Sequence, residues 1–406
     1  MMQPLESRRH FLTGTNQDGT SAHNRRVVID ALRLSGTQSR AELARATRLT
    51  PQTVSNIVAD LQRAGLVVAG PPVKLARGQP AVPYQLVPDG AFAIGLHVER
   101  HFLRAVAVNL LGEVQVSEEM ALPSGGPASG VSVVLALIER TRKRLAQRFP
   151  EAEARMAGFG IAMPGPFGMG ADYDDESMMG AWRAYPLAEA VAAGTGGEVR
   201  LLNDATAATI AEKLTGAAHG FTDLVYIFLG YGLGAGLLIG GDVYEGAFGN
   251  AGEIGQILLR APGAATAAIP APLEHGASLA SLARLLHVPP GDPGLFDAIG
   301  AALKRGGPDL EGWIDSAALQ LRRAVQIVET LFDPQTVILG GEAPQALLRR
   351  LAERIEPLLP SIAARPARQH ARLILGGGNR WAVAIGAATE PISRAFDPRF
   401  SALLKS

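Results

Sequence analysis

Three carboxylates and two amides stand out among the residues able to do chemistry. Asp204 follows Asn203 at the end of the run Val199-Arg200-Leu201-Leu202. Glu253 and Gln256 lie among glycines in Gly252-Glu253-Ile254-Gly255-Gln256, and Glu274 falls in Leu273-Glu274-His275. Carboxylates accept hydrogen bonds and amides both donate and accept, which is what a polyhydroxylated ligand requires. Each also has a plainer reading: an Asp after a strand caps the next helix, and a single acid is most often solvated surface. A second set, Gln52, Thr53 and Asn56, follows Thr50-Pro51. Gln and Asn can pair bidentately with adenine in the major groove. Lys74, Arg77 and Gln79 sit in the loop Lys74-Leu75-Ala76-Arg77-Gly78-Gln79-Pro80, whose cations suit phosphate or the minor groove. Gln79 is the weakest of these, since a polar loop tip is ordinarily only solvated. Finally, the run Gly230-Tyr231-Gly232-Leu233-Gly234-Ala235-Gly236 spaces glycines closely enough for backbone amides to approach a phosphate, although the same spacing also makes hairpins.

The DNA-type residues need helices to aim them. Residues 24–34 have helical period, with Val27, Ala31 and Leu34 on one face. Ser39-Arg40-Ala41-Glu42 is a capping box opening a short helix over 40–46, and Thr47-Arg48-Leu49 makes a turn. Thr50 then caps a helix with Pro51 at its first position, running to about residue 64 and stopped by Gly65. Val54, Ile57, Val58 and Leu61 form its buried stripe, leaving Gln52, Thr53 and Asn56 on the other face. Two strands, 66–68 and 84–86, flank the basic loop as a wing. A short helix, a tight turn and a second helix with polar groups at its start is the helix-turn-helix layout. The alternative is a small helical protein-binding module.

The carboxylates need a different scaffold. Strand patterns over 92–98, 103–109 and 113–116 form a meander, and a similar run begins at 224–229 and continues through the glycine run into 237–239. Amphipathic helices are expected near 130–148, 205–214 and 315–331. Two such meanders suggest an internally duplicated α/β protein with a cleft between lobes, although two meanders can also resemble each other by chance.

Composition bounds these readings. A chain of 406 residues, 47% hydrophobic and 19% charged, has material for two or three cored domains. With no cysteine, disulfide frameworks, thiolate zinc sites and cysteine nucleophiles are excluded. Lys+Arg and Asp+Glu balance at 38 each, but not locally. Residues 1–88 hold eleven bases against five acids, a net +6, and the rest is −6, which suggests a polyanion partner for the first module only. No apolar run is long enough to span a membrane, and residues 1–23 read as a polar, flexible tail rather than a signal peptide. A cytoplasmic protein is expected.

Together these residues resemble the ROK family of repressors, open-reading-frame proteins and sugar kinases, over about 24–391. The N-terminal match is Ser39-Arg40-Ala41-Glu42-Leu43-Ala44, Leu49-Thr50-Pro51-Gln52-Thr53-Val54-Ser55 and Arg77-Gly78-Gln79-Pro80. Further on come Gly158-Phe159-Gly160-Ile161-Ala162-Met163-Pro164-Gly165-Pro166, Asn203-Asp204-Ala205-Thr206, residues 229–236, Gly252 to Gln256, Leu339-Gly340-Gly341 and Ile385-Gly386-Ala387-Ala388. The resemblance implies an N-terminal winged helix-turn-helix and a two-lobed, actin-like, sugar-kinase-like domain of duplicated ribonuclease H-like type. It also implies that Asn203, Asp204, Glu253 and Glu274 contact sugar, with Asp204 at the kinases' catalytic base, and that Gln256 stands where the family has a histidine. Three departures matter. Gly95-Leu96-His97-Val98-Glu99-Arg100-His101 replaces the family's first phosphate loop, with His97 at the Asp position and the anionic Glu99 at a glycine. Tyr231 stands for a threonine in the second loop, and an Ala/Pro stretch, 261–272, replaces the zinc knuckle.

The expected molecule is therefore a sugar-responsive transcriptional regulator, in the sense of a repressor. It has a tail over 1–23, a DNA-binding domain over 24–88 and a sugar-sensing domain over 91–406. Its partners are a double-stranded DNA operator, a sugar effector and further copies of itself as homodimer or homotetramer, with no cofactor, metal, membrane partner or catalytic activity. The alternatives are an ATP-dependent sugar kinase carrying a DNA-binding head, and a DNA-binding protein whose larger domain is only an oligomerisation scaffold.

Overall fold

The computed structural model describes residues 17–73, 80–123, 125–169, 179–260, 269–290 and 292–395. The chain divides into two compact units, one of Met1–Gly90 with Ser393–Ser406 and one of Ala91–Ile392.

The first unit holds α1 (Gln17–Ser35), β1 (Gln38–Ser39), α2 (Arg40–Thr47), α3 (Pro51–Arg63), β2 (Val67–Ala69) and β3 (Pro83–Leu86). The Ser39–Glu42 capping box is present at α2, which ends on Arg48 in the left-handed region. Thr50 caps α3 by accepting from the Thr53 amide, and Val54, Ile57, Val58 and Leu61 are buried as the spacing predicts. The face expected for α1 is displaced by one residue. Val28, Ile29 and Leu32 are buried while Leu34 is mostly exposed, because consecutive apolar residues at 27–29 allow either phase. The strands pair β1-β3-β2, and the two-residue β1 is too short for its pattern to be read from sequence. Val73 and Ala81 bridge at the base of the wing.

The second unit opens with β4 (Phe92–Val98), β5 (Phe102–Asn109), β6 (Val114–Ala121), α4 (Pro127–Arg148), β7 (Met156–Met163), α5 (Gly180–Arg183), α6 (Leu187–Thr195), β8 (Val199–Asn203) and α7 (Asp204–Thr215). It continues with β9 (Leu224–Leu229), β10 (Leu233–Ile239), β11 (Asp242–Val243), β12 (Leu258–Leu259), β13 (Ala271–Pro272), α8 (Leu279–Leu285), α9 (Leu295–Arg305), α10 (Pro308–Phe332), β14 (Thr336–Gly341), α11 (Gln345–Ile355), β15 (Leu373–Gly378) and α12 (Ala382–Ala395). Two five-stranded sheets result, ordered β6-β5-β4-β7-β8 and β11-β10-β9-β14-β15. In each, an antiparallel meander is followed by two strands added in parallel beside its first strand.

Helices α4 and α6 cover one face of the first sheet, and α8 to α11 bury the outer face of the second. Between the sheets, Ala205, Ala207 and Ala208 of α7 and Val383 and Ala387 of α12 pack with Leu202, Tyr226 and Ile338. Small residues dominate because the backbones approach closely. A β-carbon at Gly236 would strike the Thr209 side chain of α7. This corrects the reading of the glycine run: only Gly230-Tyr231-Gly232 is a turn, and Leu233 onward is strand β10, whose glycines make room for α7.

Candidate functional site

The end of β8, the loop after β7 and the loop after β11 meet at the start of α7. Asn203, the last residue of β8, is the N-cap of α7 and accepts from the Ala205 amide at 2.8 Å. The cap is thus Asn203 rather than Asp204, which is the first helical residue. Asp204 Oδ1 also accepts from Ala205 N, at 2.7 Å. The Asn203 side-chain amide donates to Glu253 Oε1 at 3.1 Å, 50 positions away. Gly165 makes this approach possible, since a β-carbon there would collide with the Glu253 carboxylate and the Asn203 amide. Gln256 and Glu274, on two short 3-10 turns, are joined by a bond from Gln256 Nε2 to Glu274 Oε1 at 2.8 Å.

The geometry therefore gathers Asn203, Asp204, Glu253, Gln256 and Glu274 in one neighbourhood. The electrostatics record the crowding. Burial, with the charge of Glu99 next, pushes the Asp204 carboxyl up to about 7. Burial and the charges of Asp204 and Glu274 push Glu253 up to about 8, opposed by Arg183. Grouped carboxylates at half charge can accept from several hydroxyls or share protons with them. Among the described residues, no group of three or more His, Asp or Glu side chains is placed to hold a metal ion.

Sequence reasoning did not find Arg183, Asn250 or Glu342. Arg183 donates to the Gly165 carbonyl at 2.9 Å. Asn250 receives the Phe167 amide at 2.7 Å and donates to its carbonyl at 2.8 Å, which ties the loop after β7 to the loop before Glu253. Glu342 follows Gly340-Gly341, a glycine pair that marked the place but not the charge. The reading of Glu99 also changes. It is not a bare anion but buried and paired with Arg100 at 2.8 Å. His97 is buried, with both ring nitrogens lacking hydrogen-bond partners, and burial holds it neutral, well below its usual range.

On α3, Gln52 and Asn56 are exposed opposite the apolar stripe, with Gln52 Nε2 donating to Asn56 Oδ1 at 3.0 Å. Thr53 is less available, its hydroxyl 2.8 Å from that of the cap Thr50. Lys74, Arg77 and Gln79 lie outside the described residues. No described helix is long and apolar enough to cross a membrane.

Comparison with known proteins adds two family matches, two relatives and two structures of the same fold. Residues 94–389 match the model of the ROK family, and residues 27–77 match that of the MarR family. An uncharacterized protein, y4fQ of Sinorhizobium fredii, is 26% identical over 391 residues, spanning 92% of this chain and 91% of that one. A putative xylose repressor of Caldicellulosiruptor is 27% identical over 236 residues, 58% of each chain. Two crystal structures share the fold at 24% identity. One is a ROK family transcriptional regulator homologous to the E. coli MLC protein, with a TM-score of 0.68 over 95% of this chain and 98% of that one. The other is a ROK family glucokinase from Streptomyces griseus, with a TM-score of 0.56 over 74% and 99%.

Proposed function

The chain belongs to the ROK family, which relates it to both transcriptional regulators and sugar kinases, and we propose that it is a sugar-responsive, DNA-binding regulator acting as a repressor. The observation that carries this reading is the gathering of Asp204, Glu253 and Glu274 with the amides of Asn203 and Gln256, in a chain that also has a capped helix-turn-helix. The second unit is a duplicated, two-lobed, actin-like domain in this reading. Its two sheets of equal strand order support the duplication.

The sugar's hydroxyls donate to Asp204, Glu253 and Glu274, and Gln256 takes the role of a hydroxyl-contacting amide. Gln52 and Asn56 read bases from α3. Thr53, Lys74, Arg77 and Gln79 complete the DNA-contacting set, the cations on phosphates. The effector favours one of two arrangements of a homodimer or homotetramer and so alters operator affinity. This requires that it bind the two arrangements unequally.

Phosphoryl transfer is not part of the proposal. A kinase needs backbone and cations arranged around triphosphate and magnesium. Here neutral His97, the paired Glu99 and the bulky Tyr231 stand at those positions. Asp204 then only accepts a hydrogen bond from the hydroxyl that a kinase would deprotonate. A thermal-shift screen of neutral sugars and sugar phosphates tests the reading. Saturation at about 100 times Kd stabilises by about 2.7 kcal/mol. A stabilising sugar whose effect persists in Asp204→Ala contradicts the assigned site. Sugar-dependent ADP release above an Asp204→Ala control favours the kinase instead.

A further inference from the structure

An ionic cluster with a buried centre lies beside the carboxylates and joins the two sheets. Arg104, on β5 of the first sheet, donates from Nε to Glu119 on β6 at 2.7 Å. Its Nη1 donates to Glu342 at 2.5 Å and to the Arg380 carbonyl at 3.0 Å. Glu342 follows β14 in the second sheet, and Arg380 lies between β15 and α12. The Arg380 guanidinium pairs back to Glu119. Nearby, Arg100 in the β4–β5 turn places its guanidinium 4.3 Å from the ring centroid of Tyr231, in the β9–β10 turn. The Arg104 and Glu342 side chains are each only 4% exposed.

We infer that Arg104 and Glu342 form an ionic clamp that fixes one separation of the two sheets without any nucleotide. The planar fork of an arginine accepts one geometry, so a guanidinium bonded at once to both sheets is satisfied at a single placement of one against the other. Buried ion pairs add little net stability over apolar packing, and fixing a register is their best-attested use. The clamp stands where the two departures from the family's phosphate loops meet, with Arg100 seated on Tyr231. It deepens the regulator reading and rests on it in one respect: the larger domain works without ATP.

Distance measurement by paired spin labels tests the clamp. The chain has no cysteine, so Ala136→Cys on α4 and Glu353→Cys on α11 supply two unique label sites, one on the helix layer of each sheet. Ligand-free protein with Arg104 and Glu342 intact gives one narrow distance distribution, unchanged by Mg-ATP. Glu342→Gln and Arg104→Lys each broaden it or add a second, longer distance. Glu329→Gln is the control, because Glu329 and Arg372 form another buried ion pair wholly on the second-sheet side, and it leaves the distribution narrow. An unchanged distribution in both clamp variants overturns the inference, and so does equal broadening by Glu329→Gln. A narrowing of the parent distribution by Mg-ATP overturns its nucleotide independence. If one clamp variant fails to fold, the other still decides. No sugar enters the experiment, so its outcome is separate from that of the effector reading.

Discussion

Asp204 is the residue on which the functional proposal turns. A hydroxyl donating to a carboxylate forms a charge-assisted bond worth ~1.5–3 kcal/mol, so Asp204→Ala is expected to weaken sugar binding tenfold or more, measured by calorimetry, with the fold intact. The same carboxyls make a pH prediction. Asp204 and Glu253 titrate near 7 and 8 in the native state, against ordinary values of 3.8 and 4.5. Between those limits the native state holds protons that the unfolded chain has released. Stability from these two groups is therefore present at low pH and falls as pH rises through about 8. Calorimetric melting from pH 5 to 8 is expected to show a shallower fall in Asp204→Asn/Glu253→Gln than in the parent protein. An equal fall in both places the titration elsewhere. At this scale the sequence singled out Asp204, Glu253 and Glu274 as candidates, because glycines and amides framed them, and the structure brings them together. The sequence did not show Arg104 or Glu342, because their contact joins residues 238 positions apart with no local pattern.

At the scale of elements, the helix-turn-helix was the most legible part of the chain, because caps act within four residues. Ser39 with Glu42, and Thr50 with Thr53, are bonded as their spacing implies. Thr50→Ala removes the acceptor for the Thr53 amide and is expected to cost ~1 kcal/mol, read from chemical denaturation. Gln52→Ala or Asn56→Ala, exposed on the same helix, is expected to relax base preference at a cost of ~1–3 kcal/mol per bidentate contact, measured against single-base operator variants. A uniform loss on every sequence would make these residues phosphate contacts instead. Less legible were the phase of α1, where Val27-Val28-Ile29 permits two faces, and the glycine run, half of which is strand. There the absent side chains make room for α7, a tertiary demand that looks in sequence like a phosphate loop.

At the scale of the whole molecule, two related sheets and a basic N-terminal module were readable from repeated meanders and from the local charge of +6 against −6. The placement of Asn203, Asp204, Glu253, Gln256 and Glu274 in one neighbourhood was implied by the family resemblance and by no local pattern, since it depends on three loops meeting. Truncation before Ala91 is expected to abolish operator binding while leaving a folded protein that still shifts its melting temperature with sugar. Undiminished operator affinity would refute that division of labour. The most direct test joins both ends of the molecule. An operator is first selected from random double-stranded DNA. Its affinity is then measured by fluorescence anisotropy, with and without the sugar that stabilises the protein, for the parent and for Asp204→Ala. The expected result is equal affinity of both proteins without sugar, and a sugar-dependent change in the parent that is absent in Asp204→Ala at the same concentration. An identical sugar response in both proteins, or operator affinity that no stabilising sugar alters, would contradict the proposal.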